Sequence, residues 1–238
     1  MSKRGKAAGD PGRPPWVLAA EILSVTVFAG LAIPLMVGAL AAIWKARMWW
    51  ALVAGPVAGY LLADVGSGTV HWFGDTFYEE NTPVIGPLLI RTFREHHRDP
   101  ESITRHGFFE VNGCNCLGLI PFLLIEWWFS SLHINSAFAT FFQAALVALV
   151  VGLFGTNQFH KWSHARQVPA FVRWLQRRRL ILSPAQHQRH HRGGFNRSYC
   201  ITTGWMNSVL DAVHFYPILE RVIRAFRPLF AGGEEMER

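Results

Sequence analysis

The eleven histidines of this 238-residue chain are not scattered. Nine fall into four sets at helix-compatible spacing: His71 with Asp75, His96 and His97 with His106, His160 with His164, and His187 with His190 and His191. Residues three or four apart on a helix share a face, so H-x-x-x-H and H-x-x-H-H each turn two or three imidazoles toward one ion. Neutral imidazole binds transition metals well, and nine donors exceed what one octahedral ion uses. The pattern points to metal chemistry with more than one ion. His96 and His97 are adjacent and diverge by about 100° on a helix, so they serve different metals, or one metal and a backbone contact. Asp75 stands four residues after His71 and reads as a carboxylate ligand in an i,i+4 pair. Asp64 lies on the same stripe seven residues earlier and is expected to orient a ligand histidine as a hydrogen-bond acceptor. Asn157, one turn before His160, is expected to be a weak ligand or a supporting donor. His133 and His214 match no set and are read as non-ligands.

These sets must be held by elements that the apolar content defines. Half of the residues are hydrophobic, with ten Trp and eighteen Phe, which argues against a soluble protein. A membrane-crossing helix needs about 20 mostly apolar residues. Four stretches qualify: Val17–Ile43, Trp49–Val70, Cys116–Phe129 extended to Leu132, and Ala137–Phe154. The third carries Glu126, read as a snorkelling or helix-paired carboxylate rather than a catalytic one. Every histidine set lies just outside one of these stretches.

From His160 to the end, thirteen Lys/Arg stand against five Asp/Glu, so the tail holds all of the chain's +7 excess. A basic, Trp-rich tail suits an anionic leaflet, and no nucleic-acid module accompanies the charge. The positive-inside rule places the N-terminus, the long loop Gly74–Gly113 and the tail in the cytoplasm, with Lys45 and Arg47 as a mild violation. All four sets then fall on one side, although the rule used no histidine. The expected fold is all-α: a multi-pass membrane protein with about four transmembrane helices and a cytoplasmic, histidine-rich di-metal cap. Residues 1–16 read as a disordered basic arm, 17–215 as the catalytic domain, and 216–238 as an interfacial amphipathic helix and tail. A second interfacial helix is expected around Phe171, Trp174 and Leu175. Cys114, Cys116 and Cys200 form neither a disulfide framework nor a zinc knuckle and imply a reducing compartment.

The segments Asp64-Val-Gly-Ser-Gly-Thr-Val-His-Trp, Phe93 through Asn115, Asn157 through His164, and Tyr199-Cys-Ile-Thr-Thr-Gly-Trp-Met-Asn resemble the plasmanylethanolamine desaturase family. The likeness runs from about Ala63 to Asn207 in the same order with similar gaps. It leaves out the N-terminal arm and the last thirty residues. Gly107 and Cys114 depart from acidic residues that animal-type members usually carry there. The resemblance implies an integral-membrane enzyme with two iron ions. Such an enzyme uses dioxygen and an external electron donor to introduce the vinyl-ether double bond of plasmalogens. A plant branch desaturates a phosphatidylglycerol acyl chain instead, so an acyl-chain desaturase or a lipid hydroxylase is the alternative.

The residues fit that chemistry on their own terms. Taking hydrogen from an unactivated alkyl chain needs an oxidant made from dioxygen, which iron supplies and zinc does not. Histidine-dominated ligation suits iron, and the absence of Cys from the sets argues against an iron–sulfur centre. A membrane zinc hydrolase usually shows H-E-x-x-H or a comparable ligand–base pairing, and neither is present. A transporter would set its ionisable ligands near the bilayer midplane, and a haem protein would face histidines inside spans. The expected partners are a membrane phospholipid substrate and an acidic electron carrier of cytochrome b5 or ferredoxin type. The basic surface around Arg189, Arg192 and Arg197 is expected to hold the lipid phosphate or to dock that carrier. The expected location is the bacterial inner membrane or the endoplasmic reticulum, with the active site facing the cytoplasm.

Overall fold

A computed structural model of the chain describes residues 15–230, except 84, 87–89, 133, 135 and 193. The first fourteen residues of the basic arm, His133 and the last eight residues fall outside them. All regular structure among the described residues is helical. Among the described residues four helices are long and apolar enough to cross a membrane: α1 (Pro15–Ala46), α2 (Ala51–Thr76), α5 (Phe108–Ser131) and α6 (Ala137–His164). At 1.5 Å per residue α2 is about 39 Å long and α6 about 42 Å, against a hydrocarbon core of about 30 Å. The surplus is useful. Both helices run beyond their apolar stretches, and those extra turns carry His71, Asp75, His160 and His164.

Small residues fix the register. Gly55 and Gly59 of α2 lie against Ala144, Ala145 and Ala148 of α6, and Ala63 lies against Gly152. A Cβ on Gly59 would sit 2.0 Å from the Ala145 carbonyl oxygen, so only glycine allows this approach. Close contact through small residues is how membrane helices gain packing without a hydrophobic drive. The matched pairs rise together along both helices, so α2 and α6 are parallel.

Helices α1 and α5 form the other parallel pair. Glu21 covers Gly113, and Phe28, Ala32 and Leu35 pack with Cys116, Leu119 and Leu123. The α5–α6 pair is antiparallel. Asn115 Nδ2 donates to the Leu153 carbonyl (2.6 Å) and Asn157 Nδ2 to the Val111 carbonyl (2.9 Å). Toward the other end Gln143 donates to Ser130 (2.7 Å), which donates to Glu126 (3.1 Å). Glu126 is thus a buried, helix-paired carboxylate. The C-terminal ends of α2 and α6 and the N-terminal ends of α1 and α5 meet at one end of the bundle.

Among the described residues six shorter helices cover that end: α3 (Arg91–Arg98), α4 (Ser102–Arg105), α7 (Ala170–Arg177), α8 (Pro184–Arg192), α9 (Asn207–Ala212) and α10 (Phe215–Phe230). Between α8 and α9 an irregular segment, Ser198–Gly204, is buried against α2. Asp64 holds it from below. Its Oδ1 accepts the Thr203 and Gly204 amides (2.7 and 2.9 Å) and its Oδ2 accepts the Met206 amide (3.0 Å). Ser67 accepts the Ile201 amide, and Thr202 bridges Thr156 of α6 and the Ala63 carbonyl of α2. Non-helical backbone is tolerated at such depth because protein groups satisfy it. Trp72, Tyr199, Cys200, Leu210 and Tyr216 form the apolar seal above. None of the three cysteines forms a disulfide. Both α7 and α10 leave apolar side chains exposed, among them Phe171, Trp174, Val222 and Phe226.

Candidate metal centre

Four elements converge on the histidines. The last turns of α2 and α6 bring His71, Asp75, His160 and His164 upward, α3 brings His96 and His97, and α8 brings His187, His190 and His191. The donors sort into two groups of four. His96, His160, His164 and His187 form one; His71, Asp75, His97 and His190 form the other. Within each group the ligand atoms all lie within 4.8 Å of one another. The groups adjoin, since the His71 ring centroid is 5.8 Å from that of His160 and 6.0 Å from that of His96.

Hydrogen bonding alone does not account for this packing. His160 Nε2 and His191 Nε2 each stand 2.9 Å from His187 Nε2, which has one proton or one lone pair to offer. His96 Nε2 is 3.2 Å from His191 Nε2, and His97 Nε2 is 3.1 Å from His190 Nε2. Two donors about 2.1 Å from a shared ion and at right angles stand about 3 Å apart, the spacing seen here. The buried His71 Nε2, both Asp75 oxygens, His164 Nε2 and His187 Nδ1 have no hydrogen-bond partner. Orphaned buried polar atoms are costly, and a bound cation satisfies them. The donor set therefore fits two metal ions.

The second group is also oriented from behind. The Nδ1 atoms of His71 and His190 face the Tyr199 and Arg197 carbonyls at 3.1 and 2.9 Å, which sets Nδ1 as the protonated nitrogen and turns Nε2 inward. Asp75 Oδ2 lies 3.5 Å from both Nε2 atoms. Phe195 stacks on His97 at 4.1 Å, with φ of 60°. Ser198, also at positive φ, is clamped by Asp211 through its amide and hydroxyl (3.0 and 2.8 Å). Such conformations cost about 1–3 kcal/mol and persist only where surroundings enforce them.

Burial and, next, neighbouring imidazoles push His96 down to about 2 and His97 to about 3. Burial pushes His190 down to about 4 and lowers His187 and His191 as well. These imidazoles are neutral at pH 7, the form that binds metal.

The remaining expected residues lie elsewhere. His191 adjoins the first group without belonging to its four. His106 stands outside both groups and pairs with Glu110 at 2.6 Å, while its carbonyl accepts from Lys161. Asp64 binds backbone amides of the inserted segment, and among its hydrogen bonds none goes to a histidine. Asn157 ties α6 to α5. His214 is exposed in the turn before α10. The sequence named Arg197 for its charge and Tyr199 within a motif, but not the carbonyl oxygens through which they orient His190 and His71. It overlooked Phe195, although Gly194 before it, at φ of 73°, marks the turn that seats its ring.

Comparison with known proteins gives this geometry its family. A lipid desaturase domain matches residues 60–228. The chain is 42% identical over 219 residues to the plasmanylethanolamine desaturase of Myxococcus xanthus, covering 89% of this chain and 74% of the relative. It is 40% identical over 177 residues to plasmanylethanolamine desaturase 1 of Mus musculus, covering 73% of this chain and 65% of that relative. It is 36% identical over 168 residues to the chloroplastic fatty acid desaturase 4 of Arabidopsis thaliana, covering 69% of this chain and 49% of that relative. No solved structure matches. With its four membrane-length helices, its paired histidine groups and these relatives, the chain belongs to the lipid desaturase family.

Proposed function

We propose that the protein desaturates the sn-1 ether-linked alkyl chain of plasmanylethanolamine, giving the vinyl ether of a plasmalogen. The observation that carries this reading is the pair of adjoining four-donor groups in a chain 42% and 40% identical to two plasmanylethanolamine desaturases. Two iron ions, one in each group, would supply the oxidising power that dioxygen chemistry on an unactivated C–H bond requires. One hydrogen leaves each of two adjacent carbons, and with two electrons and two protons from an external donor one dioxygen becomes two waters.

The residues divide that task. His96, His160, His164 and His187 hold one ion, and His71, Asp75, His97 and His190 the other. His191 stands beside the first group, and His106 is assigned no metal. Phe195 and Tyr199 exclude water from the second group, and the Tyr199 and Arg197 carbonyls hold its imidazoles in one tautomer. The reacting carbons of an ether lipid lie next to the glycerol backbone, and donors at helix ends sit at that depth. The exposed Arg189, Arg192 and Arg197 adjoin the histidine helix and suit an acidic cytochrome b5-type or ferredoxin-type donor. The cap faces the cytoplasm in this reading, with α7 and α10 on the membrane surface.

The test is to express the chain in a host without plasmalogens, feed it alkylglycerol, and measure lipids by mass. Acid-labile lipid two hydrogens lighter than the alkyl precursor is expected. A new double bond confined to an acyl chain, or a product heavier by one oxygen, overturns the substrate. Purified active protein should carry about two irons per chain, and stoichiometric zinc overturns the metal. For orientation, a cysteine placed at Asn196 should be labelled from the cytoplasm and one at Ser131 from the far side.

A further inference from the structure

A cleft of about 410 Å³ opens between α4, the C-terminal end of α6 and the start of α7. Its lining includes Glu101, Thr104, Lys161, Trp162, His164 and Arg166. His164 belongs to the all-histidine group, and its Nε2 is buried without a hydrogen-bond partner. One wall of the cleft is therefore a member of one donor group. Its charges are arranged by sign. Arg166, from the link after α6, places Nε and Nη2 at 2.8 and 2.7 Å from Oε1 of Glu101, which precedes α4. Lys161 stands beside them.

An exposed ion pair of this kind contributes only about 0–1 kcal/mol, and here the Arg166 side chain is 82% and the Glu101 side chain 50% exposed. Opening it toward a ligand costs little. A ligand carrying both an anion and a primary ammonium gives each member a new partner. Phosphate matches the guanidinium fork and a lysine, and an ammonium has three N–H donors for a carboxylate and a hydroxyl.

We propose that this cleft seats a zwitterionic phosphoethanolamine headgroup, phosphate on Arg166 and Lys161 and ammonium on Glu101, so that the pair selects the lipid by its headgroup. The inference rests on the lipid reading above and adds the site that it lacks. Only the glycerol backbone separates the phosphate from the first carbons of the ether chain, so a headgroup seated here brings those carbons toward His164. A quaternary ammonium offers Glu101 no N–H. A phosphoglycerol headgroup offers it no cation, and the carboxylate faces a net anion instead.

The test uses full-length protein in detergent with short-chain 1-O-alkyl-2-acyl glycerophospholipids, identical but for ethanolamine, choline or glycerol headgroups. Binding is read by native mass spectrometry, and vinyl-ether formation is read separately in cells. The wild type should bind the ethanolamine lipid best. Glu101→Gln should weaken that binding about tenfold while sparing the glycerol lipid. Arg166→Gln should weaken all three. Joining Glu101→Arg with Arg166→Glu rebuilds an ion pair with its signs exchanged and should not restore the preference. If the exchange does restore it, the pair is a structural brace and the proposal fails. Equal binding of the three lipids by the wild type also overturns it, as does a variant whose sole change is a higher KM for the electron donor. A wild type that makes no vinyl ether sinks the lipid reading, and the binding comparison still decides the headgroup claim.

Discussion

The two donor groups are built from adjacent residues yet differ in charge and support. The group of His96, His160, His164 and His187 is all imidazole and meets the cleft through His164. The group of His71, Asp75, His97 and His190 contains a carboxylate. Its His71 and His190 are held by main-chain carbonyls, and Phe195 lies over His97. Both groups are largely buried, but only the second has two imidazoles oriented by main-chain carbonyls. In the proposed reading the all-histidine group meets the lipid and the carboxylate group is the fixed member.

The largest effects should come from removing one donor on each side. His160→Ala and His190→Ala should each lower activity more than about 100-fold, since even supporting residues of metal sites are worth 10 to 100-fold. Each should also lose about one of two irons, and either variant retaining both would break the division. Asp75→Asn keeps the shape and removes the charge. It should weaken iron in the carboxylate group by about 10 to 100-fold on chelator titration and leave the other ion in place. Equal loss from both groups would show that they are one site.

Asp64→Asn probes the support instead. It replaces an acceptor of three buried amides with a group that must turn a donor toward one of them, and should cost about 2–4 kcal/mol. Thermal unfolding should fall accordingly, with iron lost first from the group that the Tyr199 carbonyl orients. An unchanged melting temperature would remove Asp64 from that role.

Acid sharpens the comparison further. His96, His97 and His190 are depressed in the folded protein, so below about pH 6.5 the unfolded chain binds more protons. Stability of metal-free protein should therefore fall as pH drops from about 6.5 toward the folded values of about 4 to 2. Bound metal should move that loss to lower pH. Flat stability of the metal-free protein from pH 7.5 to 5 would contradict the burial of these rings. The smallest effects should come from His106→Gln and His214→Ala, with activity within about twofold and iron unchanged. A strong loss at His106 would attach the His106–Glu110 pair to the site.

The four long helices were legible because hydropathy over about 20 residues is a strong, local signal. The histidine sets were legible because i,i+4 spacing fixes a shared face, as with His160 and His164. What spacing does not fix is which set meets which. His187 and His190 diverge by about 60° on their helix and so face different groups. Asp64 shared a stripe with His71, but seven residues place it about 10.5 Å deeper. There it meets backbone that arrives from 139 residues away, a distance in sequence that periodicity does not see. The Glu101–Arg166 pair spans 65 residues and was invisible for the same reason.

The inserted segment Ser198–Gly204 also has a consequence for how the protein is made. It lies against α2 through Asp64 and Ser67 and touches α6 through Thr156, yet it is synthesised after both. Ribosomal order thus delivers the bundle first and its wedge last. His187 and His190 arrive only shortly before it, so neither donor group is complete until the last span has left the ribosome. Under the proposed two-metal reading, loading would accordingly be a late, post-insertion event. Any chain cut short before Tyr199 would also lack the carbonyl that orients His71, so metal content would report complete synthesis.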